Sequence, residues 1–118
     1  MQITNNFQLN FKSGKIDRAG QRLLSKRLKA GELDKFIDRF VKTHEGTSYN
    51  VVLGAIRRTP SKFDTLDACI TYDKTHFRHL EEGIISGVFL HPKSFMVKLN
   101  NQIRKDLISI ATNGHIYN

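Results

Sequence analysis

Two patterns of different period follow one another in this chain, and together they set its fold class. Leu33, Phe36, Ile37, Phe40, Val41 and His44 recur at intervals of three and four residues. That is the spacing of an amphipathic helix turning a phenylalanine-rich face inward. Glu45-Gly46-Thr47 breaks it, and Tyr49 to Ile56 (YNVVLGAI) is rich in β-branched residues, as a central strand is. A helix face and a strand that both require burial point to helices laid on a sheet.

The flanking segments extend this reading. Phe7, Leu9 and Phe11 alternate with polar residues, which indicates a strand ended by Ser13-Gly14. Helical spacing runs from about Asp17 to Ala30 on Leu23, Leu24 and Leu28, with Gly31 as its C-cap. Arg57 to Ser61 reads as a basic loop and Ala68 to Tyr72 as a second short strand. Thr75 to Glu82 reads as a short helix capped by Thr75 and Gly83. Val88 and Leu90 alternate before His91-Pro92-Lys93-Ser94, and Phe95, Val97 and Leu99 alternate after it. This favours a β-hairpin with Pro92 in the turn. The competing reading is one long helix opened by Pro92, with Phe95, Leu99, Ile103, Leu107 and Ile110 on its apolar face. From Gln102 to Thr112 both readings are helical, and Asn113-Gly114 ends the helix. The expectation is a single α+β domain over residues 1–118. Its sheet is antiparallel or mixed, of about four to five strands, with helices packed on one face in a single pair of layers.

Composition bounds the function. The 118 residues are 39% hydrophobic and 25% charged, ordinary values for a folded domain. The charge balance is not ordinary: 19 Lys and Arg against 11 Asp and Glu leave a formal net charge of +8. Such a field draws nucleic acid, anionic lipid or an acidic protein. The single cysteine, Cys69, excludes an intrachain disulfide and any zinc site built on two or four cysteines. No apolar run approaches the ~20 residues of a membrane span. MQITNNFQLN lacks the basic and apolar regions of a secretion signal. These features place the protein in a cytoplasm, its own or that of a host infected by a virus or mobile element.

The positive charge is sorted as well as abundant. On a helix drawn through KIDRAGQRLLSKRLKAG, Lys15, Arg18, Arg22, Lys26 and Lys29 fall within a sector of roughly 80°. Ile16, Leu23, Leu24 and Leu28 take the opposite side, and Asp17 lies away from the stripe. Like charges at i,i+4 repel by a few tenths of a kcal/mol on an isolated helix, and an anionic partner offsets that. Arg57, Arg58, Lys62 and Lys93 add basic turns. Arg27 falls inside the apolar sector, where an arginine snorkels or meets a buried carboxylate.

The remaining candidates carry less. His76 and His79 would share a face of a helix, but no glutamate stands between them as in a metalloprotease, and Arg78 would repel a cation. Neither a metal nor a cofactor is expected. His44 reads as a packed histidine at a helix end and Cys69 as a small buried hydrophobe. The primary expectation is nucleic-acid binding, RNA or DNA, through phosphate contacts, with Tyr49, Tyr72 or Phe77 stacking on bases if exposed. A second is a protein inhibitor, of the kind a phage makes against a nucleic-acid machine. The order of a strand, two helices and a sheet beside a basic surface and a His/Tyr tail resembles that of the RelE-like messenger-RNA-cutting toxins. That resemblance implies a metal-independent endoribonuclease with His115, Tyr117, Arg57 and Arg58 as candidates, His115 acting as acid or base and the arginines holding the phosphorane charge.

Overall fold

The computed structural model describes residues 13–57, 64–83 and 91–117. Within them lie strands β1 (Gly14–Ile16), β2 (Asn50–Arg57), β3 (Asp64–Thr71) and β4 (Phe77–Glu81), and helices α1 (Arg18–Arg27), α2 (Ala30–His44) and α3 (Pro92–Asn113). The strands form one open sheet in the order β1-β2-β3-β4. β1 runs parallel to β2, and the other two pairings are antiparallel. This is a compact α+β fold with a mixed sheet, as the sequence leads one to expect. The strand proposed for Phe7 to Phe11 lies outside the described residues.

The two faces of the sheet differ because side chains alternate along each strand. Ile16, Val51, Leu53, Leu66, Ala68 and Ile70 face inward. They meet Leu23 and Leu24 of α1, Phe36 and Phe40 of α2, and Phe95, Leu99 and Ile103 of α3 in one core. All three helices therefore lie on the same face.

Charged groups inside this layer are paired. Arg27 reaches from α1 to Glu82, with Nη1 2.6 Å from Oε1, and its Nη2 donates to the Asp64 carbonyl. Glu82 Oε1 also accepts from the Leu66 amide. Arg27 thus has the structural pairing expected of an arginine in an apolar sector. On α3, Asp106 is 2% exposed. It accepts from Arg78 Nε and Nη2 at 2.9 and 2.7 Å, from the Tyr72 hydroxyl at 2.8 Å and from Gln102 at 3.0 Å. Burial alone would raise its pKa, but these hydrogen bonds outweigh burial and hold the carboxyl below its ordinary range. This cluster pins the long helix to β4 and to the end of β3.

Two expected elements are corrected. Residues 92–113 form one helix, not a strand followed by a helix. A strand would send Phe95, Val97 and Leu99 to one side, whereas Val97 is 61% exposed and Phe95, Leu99 and Ile103 are buried at intervals of four. Pro92 opens the helix, the His91 ring accepts from the Lys93 amide, and Gly114 closes it at φ 77, a conformation costly for side-chain-bearing residues. The other half of the proposed hairpin, residues 84–90, lies outside the described residues. Residues 77–81 form β4, not a helix. Asp73 takes the amides of Thr75 and His76 in a turn, and Arg78 and Leu80 then alternate inward while Phe77, His79 and Glu81 face outward. Smaller shifts occur between α1 and α2. Leu28 is extended and buried, α2 starts at Ala30, and Gly31 sits in its first turn rather than capping α1.

Candidate nucleic-acid interface

The five residues of the expected stripe fall on three elements, not one helix, and Lys15 faces the side of the sheet that α1 does not cover. Asp17 caps α1 by accepting from the Gly20 amide at 2.7 Å, so the helix begins after Lys15. Arg18, Arg22 and Lys26 follow one another at i, i+4 and i+8 on its outward face, all exposed. Their Cα atoms span about 12 Å of helix axis. Lys15 sits on β1 and faces the outer side of the sheet, in register with Val52. Lys29, past the end of α1, is the exposed N-cap of α2 and donates its amide to Glu32. No described acid pairs with the side chains of these five residues, while Arg27, Lys42, Arg57 and Arg78 all have acid partners.

The other basic candidates are placed elsewhere. Arg57 ends β2 and pairs with Asp64 at 3.2 Å, while Arg58 and Lys62 lie outside the described residues. Lys93, the second residue of α3, joins Lys35 and Arg39 in lining a cavity of about 360 Å³ between α2 and α3, together with Leu28, Phe36, Phe40 and Met96. Tyr49 and Tyr72 are buried and cannot stack on a base, whereas Phe77 is 60% exposed on the outer face.

The pieces proposed for phosphodiester cleavage are not brought together. His115 and Tyr117 contact each other, and the tail is held at the start of β4 by Arg78 donating to the Tyr117 carbonyl. Arg57 stands at the far end of β2, about 23 Å away along the strand at ~3.3 Å per residue. His76 is taken up by Asp73 and the Gly114 carbonyl, 3.0 Å from its Nε2, so it shares no site with His79.

Of two further expectations, one holds and one changes. His44 is packed as expected, 1% exposed and 2.7 Å from the Tyr49 hydroxyl, and burial lowers its pKa, which disfavours the charged imidazole. Cys69 is exposed, because Ala68 and Ile70 take the inward positions on β3. Its thiol pKa is raised by burial and by the carboxylates of Asp67 and Asp17, the opposite of what activates a nucleophile.

Sequence reasoning missed the neighbours of Cys69. Asp67 and Cys69, two apart on β3, share the outer face with His79, the cross-strand partner of Cys69. The alternation in DACITY carries half of that signal. The other half depends on residues 77–81 forming a strand. No family model, curated protein or solved structure matches the chain. No helix among the described residues is long and apolar enough to cross a membrane.

Proposed function

We propose that this protein binds nucleic acid by contacting backbone phosphates with Lys15, Arg18, Arg22, Lys26 and Lys29. The observation that carries this reading is the contrast in pairing. The described arginines that serve the fold meet carboxylates, whereas the stripe on α1 and its two flanking lysines meet none among the described residues. An unpaired row of exposed cations on a rigid helix is suited to an extended polyanion, whose released counterions drive association. The chemistry of this reading is recognition of backbone phosphates, with no cleavage step assigned to the stripe. Phe77 is exposed on the outer face of the sheet, the side that Lys15 faces and α1 does not cover, and would stack on a base that reaches that side.

Titration with labelled single-stranded RNA, single-stranded DNA and duplex DNA at two salt concentrations tests this. The expected result is binding at micromolar concentration or tighter that weakens steeply with salt and leaves the probe intact. No binding to any of the three probes at low salt would overturn the reading and point instead to an acidic protein surface as the partner.

A further inference from the structure

On the outer face of the sheet, three potential metal ligands converge, and a fourth carboxylate stands beside one of them. Cys69 and His79 are cross-strand partners, and Asp67 stands two residues from Cys69 on the same face of β3. One ligand atom from each of Asp67, Cys69 and His79 lies within 4.8 Å of the other two. His79 Nε2 is 3.0 Å from Asp67 Oδ2. The fourth group comes from the start of α1. Asp17 uses Oδ1 to cap the helix, and its Oδ2 lies above Gly54, the β2 partner of Asp67. A Cβ on Gly54 would fall 2.8 Å from Asp17 Oδ2 and 3.1 Å from Asp67 Oδ1. The missing side chain in the middle of a strand therefore gives two carboxylates room to approach each other over the backbone.

We propose that Asp67, Cys69 and His79, with Asp17 as fourth ligand, form a binding site for a divalent cation of the zinc class. One sulfur, one imidazole nitrogen and two carboxylate oxygens make a donor set suited to borderline-soft zinc and not to magnesium or calcium, which favour oxygen alone. Ligand atoms around one tetrahedral zinc stand ~3.5 Å apart, given bonds of ~2.0–2.3 Å. The three atoms already within 4.8 Å of one another need only side-chain adjustment to reach that spacing. Binding would replace the hydrogen bond between His79 and Asp67 with two metal bonds and release the Cys69 thiol proton to solvent. Glu81 is the next residue in the row of Gly54 and Asp67 and adds negative charge, while Lys15 is separated from Cys69 by Val52. Such an ion would tie the edge strand β4, through β3, to the junction of β1 and α1.

The test is titration of the full chain with Co²⁺ under a phosphine reductant, followed by displacement with Zn²⁺. The expected result is one ion per chain, with a thiolate-to-cobalt absorption in the near ultraviolet and the visible bands of tetrahedral cobalt, all lost on adding zinc. Cys69→Ser should abolish the near-ultraviolet band. His79→Ala and Asp17→Asn should each weaken binding by about tenfold or more, the scale at which even outer-sphere partners act; asparagine at position 17 still caps α1. His115→Ala should change nothing. Far-ultraviolet circular dichroism confirms that each variant is folded. Absence of a stoichiometric band, or a band of unchanged affinity in both His79→Ala and Asp17→Asn, would overturn the site and leave only a thiol binding metal adventitiously.

Discussion

Arg22 and Arg27 stand five positions apart on the same ten-residue helix, and the fold treats them in opposite ways. Arg27 points across the sheet, its side chain 13% exposed, and meets a carboxylate that is itself 6% exposed. Arg22 points to water with no described acid beside it. Arg78 repeats the first case with Asp106, and Arg18 and Lys26 repeat the second. The comparison separates two uses of positive charge. A cation inside the helix–sheet layer must be matched, because an unmatched one costs several kcal/mol of desolvation. A cation on the outer face of α1 costs the fold little, and the mutual repulsion of three in a row has no compensation within the described structure.

This separation breaks most visibly at Asp106. Asp106→Ala should destabilise the protein by about 3–5 kcal/mol in urea unfolding, because it leaves the Arg78 guanidinium buried and unmatched. Replacing Arg78 and Asp106 together by apolar residues of similar size should cost far less, and an equal cost would contradict the account. Glu82→Ala comes next, at about 1–3 kcal/mol, since Glu82 accepts from Arg27 and the Leu66 amide whereas Asp106 accepts from Arg78, Tyr72 and Gln102 together. A smaller effect is expected from pH. The folded-state pKa of His44 is depressed, so below pH ~6.5 the unfolded chain takes up a proton that the folded chain refuses. Stability should be at its full value above that pH and fall as pH drops toward the folded pKa, with a shallower fall in His44→Gln. Smallest of all should be the stability change in the Arg18/Arg22/Lys26 triple alanine variant, within about 0.5 kcal/mol per site. A large loss there would show that these cations serve the fold after all.

The sequence disclosed these regions unequally, for physical reasons. The apolar stripe of α2 and the β-branched run of β2 are long and periodic enough to reveal both their type and their buried faces. Arg27 could be singled out because an arginine among leucines needs a partner, though only the fold names Glu82. Residues 77–81 misled because Phe77 and Leu80, three apart, suit one face of a helix although β4 sends them to opposite sides, and residues 92–99 misled because their apolar residues fit two periods. Phe95 and Leu99 fit a strand at i, i+4 as well as a helix, and only the exposure of Val97 decides between them. Lys15 and Lys29 looked helical because a helical projection does not show where a cap falls, and Asp17 and Leu28 end α1 sooner than spacing alone suggests. The cluster around Cys69 was hidden further. It joins residues from β3, β4 and the start of α1 through strand register, which local sequence does not encode.

The central claim is that the stripe is a surface with a partner and more than a share of the net charge of +8. The most direct measurement compares two triple alanine variants that remove the same charge from neighbouring helices, Arg18/Arg22/Lys26 on α1 and Lys35/Arg39/Lys42 on α2. Each is titrated, beside the unmodified protein, with the nucleic-acid probe that binds tightest, across a range of salt. The account predicts that the α1 variant loses about tenfold or more in affinity and flattens the salt dependence by about two to three phosphate contacts. The α2 variant should lose less than about threefold. Equal losses from the two helices would contradict the account and reduce the stripe to a contribution to overall charge.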